Sequence, residues 1–417
     1  MNSSKPKVFH EIANYPILFH VLNSIEKLKP KSINLVISKE LKVFKNKISS
    51  LFSEIKFFMQ EKQLGTADAV KAVKKNSSTT TLILYADTPL VKVSTLRKLV
   101  YEVQKNSKLS ILSMIPDNSK NYGRVVVNNN QRVIKIVEDI DASAEQKEIR
   151  LCNSGVMAVN TKLLVQNINK IRNNNKKKEF YLTDLIEVFN NQDLLVTHIR
   201  CKYEETLGIN DRDDLQKLDN FFQKELKKKL KSNGVSLLEP NSIYFSYDTK
   251  IGRDSIIYPN VYFGPGVSIG NNVKIKSFSH LEGAYIDSNC ELGPFARIRP
   301  NTKLEKDVKV GNFVEIKQSR IKKNSKLSHL SYIGDATIGS DTNIGAGSIT
   351  CNFDGLKKHK TIIGDNCFIG SNTSLIAPIE VKKNSIVGAG TVVKRNIESN
   401  TTVFRKSELV NKKKGKT

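Results

Sequence analysis

The stretch Ile257–Leu281, IYPNVYFGPGVSIGNNVKIKSFSHL, sets an apolar residue at every sixth position: Ile257, Phe263, Ile269, Ile275 and Leu281. Neither regular element generates that period, because helix faces recur about every 3.6 residues and strand faces every second residue. The phase slips by one residue and continues through Ile286, Leu292, Ile298, Leu304, Val310 and Ile316, and a second slip begins Ile321, Leu327 and Ile333. After an interruption at CNFDGLKKHKT the series resumes as Ile363, Ile369, Leu375, Val381, Val387 and Val393, with Gly or Asn in the turns. Hexapeptide repetition of this kind marks a parallel β-helix, each apolar side chain pointing into a prism of stacked coils. The interruption, Cys351 to Thr361, is predicted to be extruded as a loop, and loops on a rigid solenoid are where function gathers.

Upstream of the repeats the pattern is that of an α/β domain. INLVIS (Ile33 to Ser38) and TLILYAD (Thr81 to Asp87) are continuous apolar runs of the kind that form buried parallel strands, separated by helical segments such as VSTLRKLVYEVQK. Ligands of such domains bind at the carboxyl ends of the strands. A helix is predicted over RDDLQKLDNFFQKELKKKLK, with Leu215, Leu218, Phe222 and Leu226 as its apolar stripe and an acidic start and basic end that suit the helix dipole. The resulting division is 1–208 for the α/β domain, 209–232 for a linker helix, 233–404 for the β-helix and 405–417 for a basic tail.

Composition narrows the function. The net charge of +26 suits nucleic acid. However, the lysines run the whole length beside abundant Asn and Ile, and aromatic residues are not interleaved with the basic runs, so anionic small substrates are the better match. Five scattered cysteines without a CxxC pair point to a reducing cytoplasm, free thiols and no structural zinc. The first twenty residues carry Lys5, Lys7, His10, Glu11 and His20 and lack the apolar stretch of a signal peptide. No segment has the apolar length of a membrane span.

The strings PKVFHEI, QLGTADA, YADTPL, GPFARIRP, VGNFVEIK, HLSYIGDA, NIGAGSITCNFDG and KTIIGDNCFIGS, in this order from Ser4 to about Lys406, resemble one family. It is the bacterial bifunctional N-acetylglucosamine-1-phosphate uridyltransferase and glucosamine-1-phosphate N-acetyltransferase family (GlmU), which makes UDP-N-acetylglucosamine for the cell envelope. The resemblance implies a Rossmann-like nucleotidyltransferase domain followed by a left-handed β-helix, and a homotrimer. The implied ligands are acetyl-CoA, glucosamine 1-phosphate, UTP, N-acetylglucosamine 1-phosphate and Mg²⁺.

For acetyl transfer the amine must be unprotonated, so a general base is required, and the resemblance assigns this to His329, a residue type that titrates near neutrality. Taken singly, a histidine on a coil is more often a packed core residue. Glu315 is expected to orient it. Arg299, Lys317, Tyr332, Asn343 and Lys358 correspond to the sugar-phosphate contacts, and Ala346, Asn352, Phe353, Ser371, Ala389 and Lys406 to the coenzyme contacts. Phe353 replaces a common tyrosine, and Lys406 stands where the family has arginine, a point charge in place of a fork.

For uridyl transfer the resemblance assigns the metal to Asp87 and Asn210, phosphate binding to Lys7, and uracil reading to Gln60, Gln63, Gly65 and Thr66, with glycine permitting close approach of the ligand. Tyr85 and Ala86 lie beside the nucleotide, where the family commonly has YGD and the alanine methyl is expected to face the ligand. Gly123, Glu138 and Asn153 match the sugar pocket, with Thr183 nearby.

The family begins with a strand and a motif of the form L-x-A-G-x-G-T-R-M, and Met1 falls at that motif's methionine. Two explanations stay open: a start assigned too late, or a short chain whose uridyl transfer is impaired for want of the glycine-rich cradle and its arginine. For the chain as given, the expectation is acetyl transfer without appreciable uridyl transfer. Two other readings are a non-catalytic scaffold, to which His329 would be irrelevant, and a zinc hydratase, which needs clustered histidines where the β-helix has only His280, His329 and His359.

Overall fold

Every apolar residue of the six-residue series is buried, and together they form one continuous column running from Val235 to Ile397. The computed structural model describes residues 1–73 and 78–406, so the basic tail lies outside the described residues from 407 onward. The repeat region is a left-handed parallel β-helix of three flat faces. Successive strands fall on the three faces in turn, giving one ladder of ten strands and two of eight, all parallel. One face carries Ile257, Ile275, Leu292, Val310, Leu327, Ile344, Ile369 and Val387 in register. A second carries Phe263, Leu281, Ile298, Ile316 and Ile333, and the third carries Ile269, Ile286, Leu304, Ile321 and Ile338.

The phase slips have one cause. Leu281 to Ile286, Ile316 to Ile321 and Ile333 to Ile338 all cross the same corner, between the second and third faces, and there the left-handed residue comes one position early, at Gly283, Gln318 and Asp335. Asn301 keeps the longer turn at that corner. At the corner after the third face, Asp254, Asn272, Asn289, Asp307, Asn324, Asp341, Asn366 and Asn384 all have positive φ, the conformation short polar side chains tolerate best after glycine. Their amides bond coil to coil, as in Asn272 to Asn289 at 3.0 Å and Asn384 to Asn400 at 3.0 Å. The interruption is an extruded loop, closed by a bridge between Phe353 and Lys358 and with Leu356 at its exposed tip.

The helix at Arg212–Ser232 buries Leu218 and Leu230. It also buries Gln223, a polar residue outside the apolar stripe, whose amide donates to Phe245 O at 2.6 Å and accepts from Phe245 N at 3.0 Å, capping the backbone of the first coil. The chain divides into compact units at Phe221/Phe222, within this helix.

The N-terminal unit is α/β, with a mixed sheet in the order Val196–Arg200, Leu109–Met114, Cys152–Asn160, Arg124–Val127, Val133–Val137, to which Thr80–Ile83 adds by pairing with Cys152–Asn160. Ile33–Ile37 is parallel, as expected, but only to Ile55–Met59, and these two form a separate ladder. TLILYAD departs from the expectation. Its strand is Thr80–Ile83, antiparallel and half-buried, and among the described residues it is bonded only to Cys152–Asn160. Phe9, Leu18, Phe19, Leu22, Ile48 and Phe52 pack a core between the helix at Ile17–Glu26 and the separate ladder. A second core lies under Leu109–Met114 and the helix at Val93–Lys105. None of the helices among the described residues is long and apolar enough to cross a membrane.

Because each inward residue is covered by its own coil and the coil on either side, removing one should open a local cavity. Replacing Ile316, fully buried, with alanine should lower the denaturant stability of the β-helix by about 2–5 kcal/mol. An equivalent change at Leu356, on the loop tip, should leave it within about 0.5 kcal/mol.

Candidate functional site

The corner that follows the first face collects chemistry by register. Two residues past each inward position of that face stand Asn312, His329, Ala346, Ser371 and Ala389, on successive coils. The coils are stitched there by Asn372 N to Ala346 O at 2.7 Å and Gly390 N to Ser371 O at 2.8 Å. His329 and three of the residues expected to meet the coenzyme therefore share one edge. By the same register Arg405, two past Val403, continues this edge, and Lys406 lies one residue beyond it. One position further along the turn are Phe278, Phe295, Phe313 and Leu330, all exposed with positive φ, followed by Gly347, Asn372 and Gly390. The rings stack at 4.9 Å below His329, and the residues above it are small. A groove of about 410 Å³ beside His329 is lined in part by Lys309, Phe295, Asn312 and Phe313.

His329 is exposed, and its Nδ1 meets Asn312 Oδ1 at 2.5 Å. The expected orienting residue, Glu315, is engaged elsewhere within the chain: its carboxylate accepts from Arg299 at 2.7 Å and from Arg297 at 3.4 Å. Glu315 sits in the middle of the second face, whereas His329 ends a strand of the first, so their side chains leave on different faces.

That second face and its far corner hold the predicted phosphate cations. The Lys358 ammonium, reaching over from the extruded loop, holds Lys317 below the ordinary lysine range; Arg299 adds to this effect and Asp335 opposes it. Three cations thus converge with two carboxylates, Asp335 and the Glu315 that already holds Arg299, which leaves positive charge in excess. Tyr332 pairs with Glu315 in register, and its hydroxyl lies against Gly334 beside the amide of Asn352. Asn352, expected at the coenzyme, donates to Asp335, so the structure groups it with the sugar-phosphate residues. Asn343 stands apart, paired with Lys326 and Phe368 on the first face. Phe353 is exposed on the loop. The loop is braced by Asp354, which accepts from the backbone of Lys357 and Leu356 and from His359 at 2.6 Å, and these bonds hold its carboxyl far below the usual range. The three histidines thus have separate partners, since His280 packs at a tilt against Tyr262. Among the described residues no cluster of three or more His, Cys, Asp or Glu could hold a metal.

In the N-terminal unit Lys7 Nζ lies 2.7 Å from Asp87 Oδ2 and 3.5 Å from Asn210 Oδ1. The lysine expected on phosphate therefore occupies the point on which the two expected metal ligands converge. Two hard oxygens around one cation position fit a divalent metal that keeps water or phosphate as its remaining ligands.

Gly65 has φ +117°, and a Cβ there would come within 2.6 Å of Phe180 O, so the approach of this backbone by itself requires glycine. Thr66 accepts from Leu182 N, and the Gln60 amide donates to Gly65 O and Asp68, so this segment is clamped to the YLTD turn. Gln63 is exposed. The Ala86 methyl packs against the core around Phe9 and Phe19, again toward protein.

Tyr85, Glu138, Gly123, Asn153 and Thr183 do come together. Burial, with Glu138 and Asp87 adding, pushes the Tyr85 hydroxyl up to about 12 while Thr66 bonds it. Burial also raises Glu138, which accepts from Thr183 Oγ1 at 3.2 Å and lies against Gly123. Asn153 ties the wall together through its N–H to Gly123 O and its side chain to Gly155 N. Asp184, not singled out from the sequence, is raised to about 6 by burial and by neighbouring Glu187, Glu138 and Asp141.

Comparison with known proteins agrees with this two-part layout. The family described as nucleotidyl transferase matches residues 2–203, that described as bacterial transferase hexapeptide (six repeats) matches 248–283, and that described as hexapeptide repeat of succinyl-transferase matches 360–395. The bifunctional protein GlmU of Zymomonas mobilis is 39% identical over 99% of this chain and 93% of its own length. That of Bartonella quintana is 38% identical over the same shares. Among solved structures, a nucleoside-diphosphate-sugar pyrophosphorylase from Vibrio cholerae covers 52% of this chain and 93% of its own at 14% identity, with a TM-score of 0.43. With relatives this similar along nearly the entire chain, and a nucleotidyltransferase unit joined to a hexapeptide β-helix, the chain belongs to the bifunctional GlmU family and is a uridyltransferase and acetyltransferase of UDP-N-acetylglucosamine synthesis.

Proposed function

We propose that acetyl transfer from acetyl-CoA to glucosamine 1-phosphate takes place at the His329 edge of the β-helix. The observation that carries this reading is the shared edge of His329 with Ala346, Ser371 and Ala389, where bulky rings give way to Gly347 and Gly390 and leave room for a long thin donor. His329 Nε2 takes a proton from the amine as its nitrogen attacks the thioester carbonyl; the C–S bond breaks, the amide forms, and the proton passes to the departing thiolate. Lys317, Lys358 and Arg299 hold the sugar phosphate, and their mutual repulsion is relieved when the dianion enters. Arg405, by its register, is the better candidate than Lys406 for the coenzyme phosphates. The stacked ridge of Phe278, Phe295 and Phe313 supports assembly of chains side by side, as the family's homotrimer would require.

Uridyl transfer from UTP to N-acetylglucosamine 1-phosphate is assigned to the pocket of Tyr85, Glu138, Asn153 and Thr183. There the sugar-phosphate oxygen attacks the α-phosphorus and pyrophosphate leaves. Bound at Asp87 and Asn210, Mg²⁺ would neutralise charge on the phosphates. Lys7, released from Asp87, is then free to pair with phosphate. The five free thiols suit a cytoplasmic setting and a role in supplying the cell envelope.

Replacing His329 with alanine should lower kcat for acetyl transfer about 100-fold or more while uridyl transfer is unchanged; equal acetyl transfer would favour a scaffold. Lys317→Ala should raise KM for glucosamine 1-phosphate at least about 10-fold and leave KM for acetyl-CoA unaltered in steady-state assays, the loss expected when a charge-assisted contact to phosphate is removed. Asp87→Asn should weaken binding of Mn²⁺ to the nucleotide-loaded chain, read by spin-relaxation titration, by about 10-fold or more, because one charged ligand is lost.

A further inference from the structure

We propose that Asn312 is a positioning residue for acetyl transfer, holding His329 in the tautomer whose lone pair is on Nε2. This deepens the reading of His329 as the base and rests on it. The amide oxygen of Asn312 can only accept, so the ring nitrogen it meets at 2.5 Å, Nδ1, carries the proton and Nε2 is left basic. The fold holds this pair in place. Asn312 and His329 face each other in the parallel ladder, and Leu330 N bonds Asn312 O at 3.0 Å. A Cβ on the preceding Gly311 would collide with Ser328 O, so glycine is what lets the two coils approach at this rung. From the other side Ser331 Oγ donates to His329 O at 2.8 Å.

No carboxylate among the described residues competes for this role. Glu315 is held by Arg297 and Arg299. Of the charged groups lining the adjoining groove, Glu291 is paired with Lys276, and Lys309 is a cation that cannot accept. The acceptor for the imidazole is therefore neutral. A neutral acceptor sets the tautomer without adding the electrostatic pull of a carboxylate on the imidazolium.

The test uses the full chain, acetyl-CoA and glucosamine 1-phosphate, with kcat followed across the imidazole titration range. Asn312→Ala should lower kcat about 10–100-fold with both KM values unchanged. Asn312→Asp keeps the acceptor, so it should retain kcat at alkaline pH, but its carboxylate stabilises the imidazolium and should move the acid limb of the profile upward by about one pH unit. With only six histidines in the chain, ¹⁵N-histidine spectra should report an unprotonated Nε2 at His329 in the parent and a mixed tautomer in Asn312→Ala. An unmoved acid limb in Asn312→Asp, or an unaltered kcat in Asn312→Ala, overturns the proposal provided His329→Ala is inactive. If His329→Ala keeps its activity, the assignment of the base itself falls.

Discussion

One constraint orders the β-helix: no coil can bury its inward residues alone. Ile298 is shielded only because Leu281 lies on one side of it and Ile316 on the other, and their strands are bonded in register. The hydrophobic driving force and the backbone ladder thus enforce the same alignment, coil upon coil. Once that alignment exists, any residue two positions past an inward one must fall on the same edge as its counterparts in other coils. Asn312, His329, Ala346, Ser371 and Ala389 are brought together in this way although 77 residues separate the first from the last in the sequence. A stacked core places the chemistry without any long-range side-chain contact to specify it.

The N-terminal unit solves its problem differently. Its pocket is walled by non-local bonds: Thr66 to Leu182, Thr183 to Glu138, Asn153 to Gly123. Each bond joins segments far apart in sequence, and the carboxyls they enclose are raised by burial. Charge in this unit is handled by pairing, Lys7 with Asp87, whereas at the far corner of the second β-helix face Lys317 and Lys358 face one another, with Asp335 opposing their repulsion and Arg299 held by Glu315. The first arrangement pairs charge one to one, and the second leaves positive charge in excess for an anion from outside.

This difference explains what could be read from the sequence. The β-helix, its phase slips and its extruded loop were legible because burial there has one short period, and an apolar residue breaks it only at a visible cost. The grouping of Lys317, Lys358 and Arg299 was legible through motif resemblance. The partner of His329 was missed, since Asn312 lies 17 residues upstream and becomes its neighbour only through the ladder. It could have been found by counting two past Val310 as His329 is two past Leu327. The packing of Phe180 against Gly65 was not legible, since the two lie far apart in sequence and meet only in the fold. Thr80–Ile83 was misread because continuous apolar runs do not reveal the direction of the strand beside them.

The shortened turns at Gly283, Gln318 and Asp335 and the extruded loop at 353–359 all follow strands of the second face. From Ile257 onward partners in adjacent coils are therefore 16, 17, 18 or 25 residues apart, yet Ile344 still pairs with Ile369 and Ile369 with Val387 as if nothing had changed. Over that span chain length is free at one corner and rationed at the other two. The molecule behaves like a ruled page with one loose margin: new loops can be written there, such as the one carrying Lys358, while the line bearing His329 keeps its place.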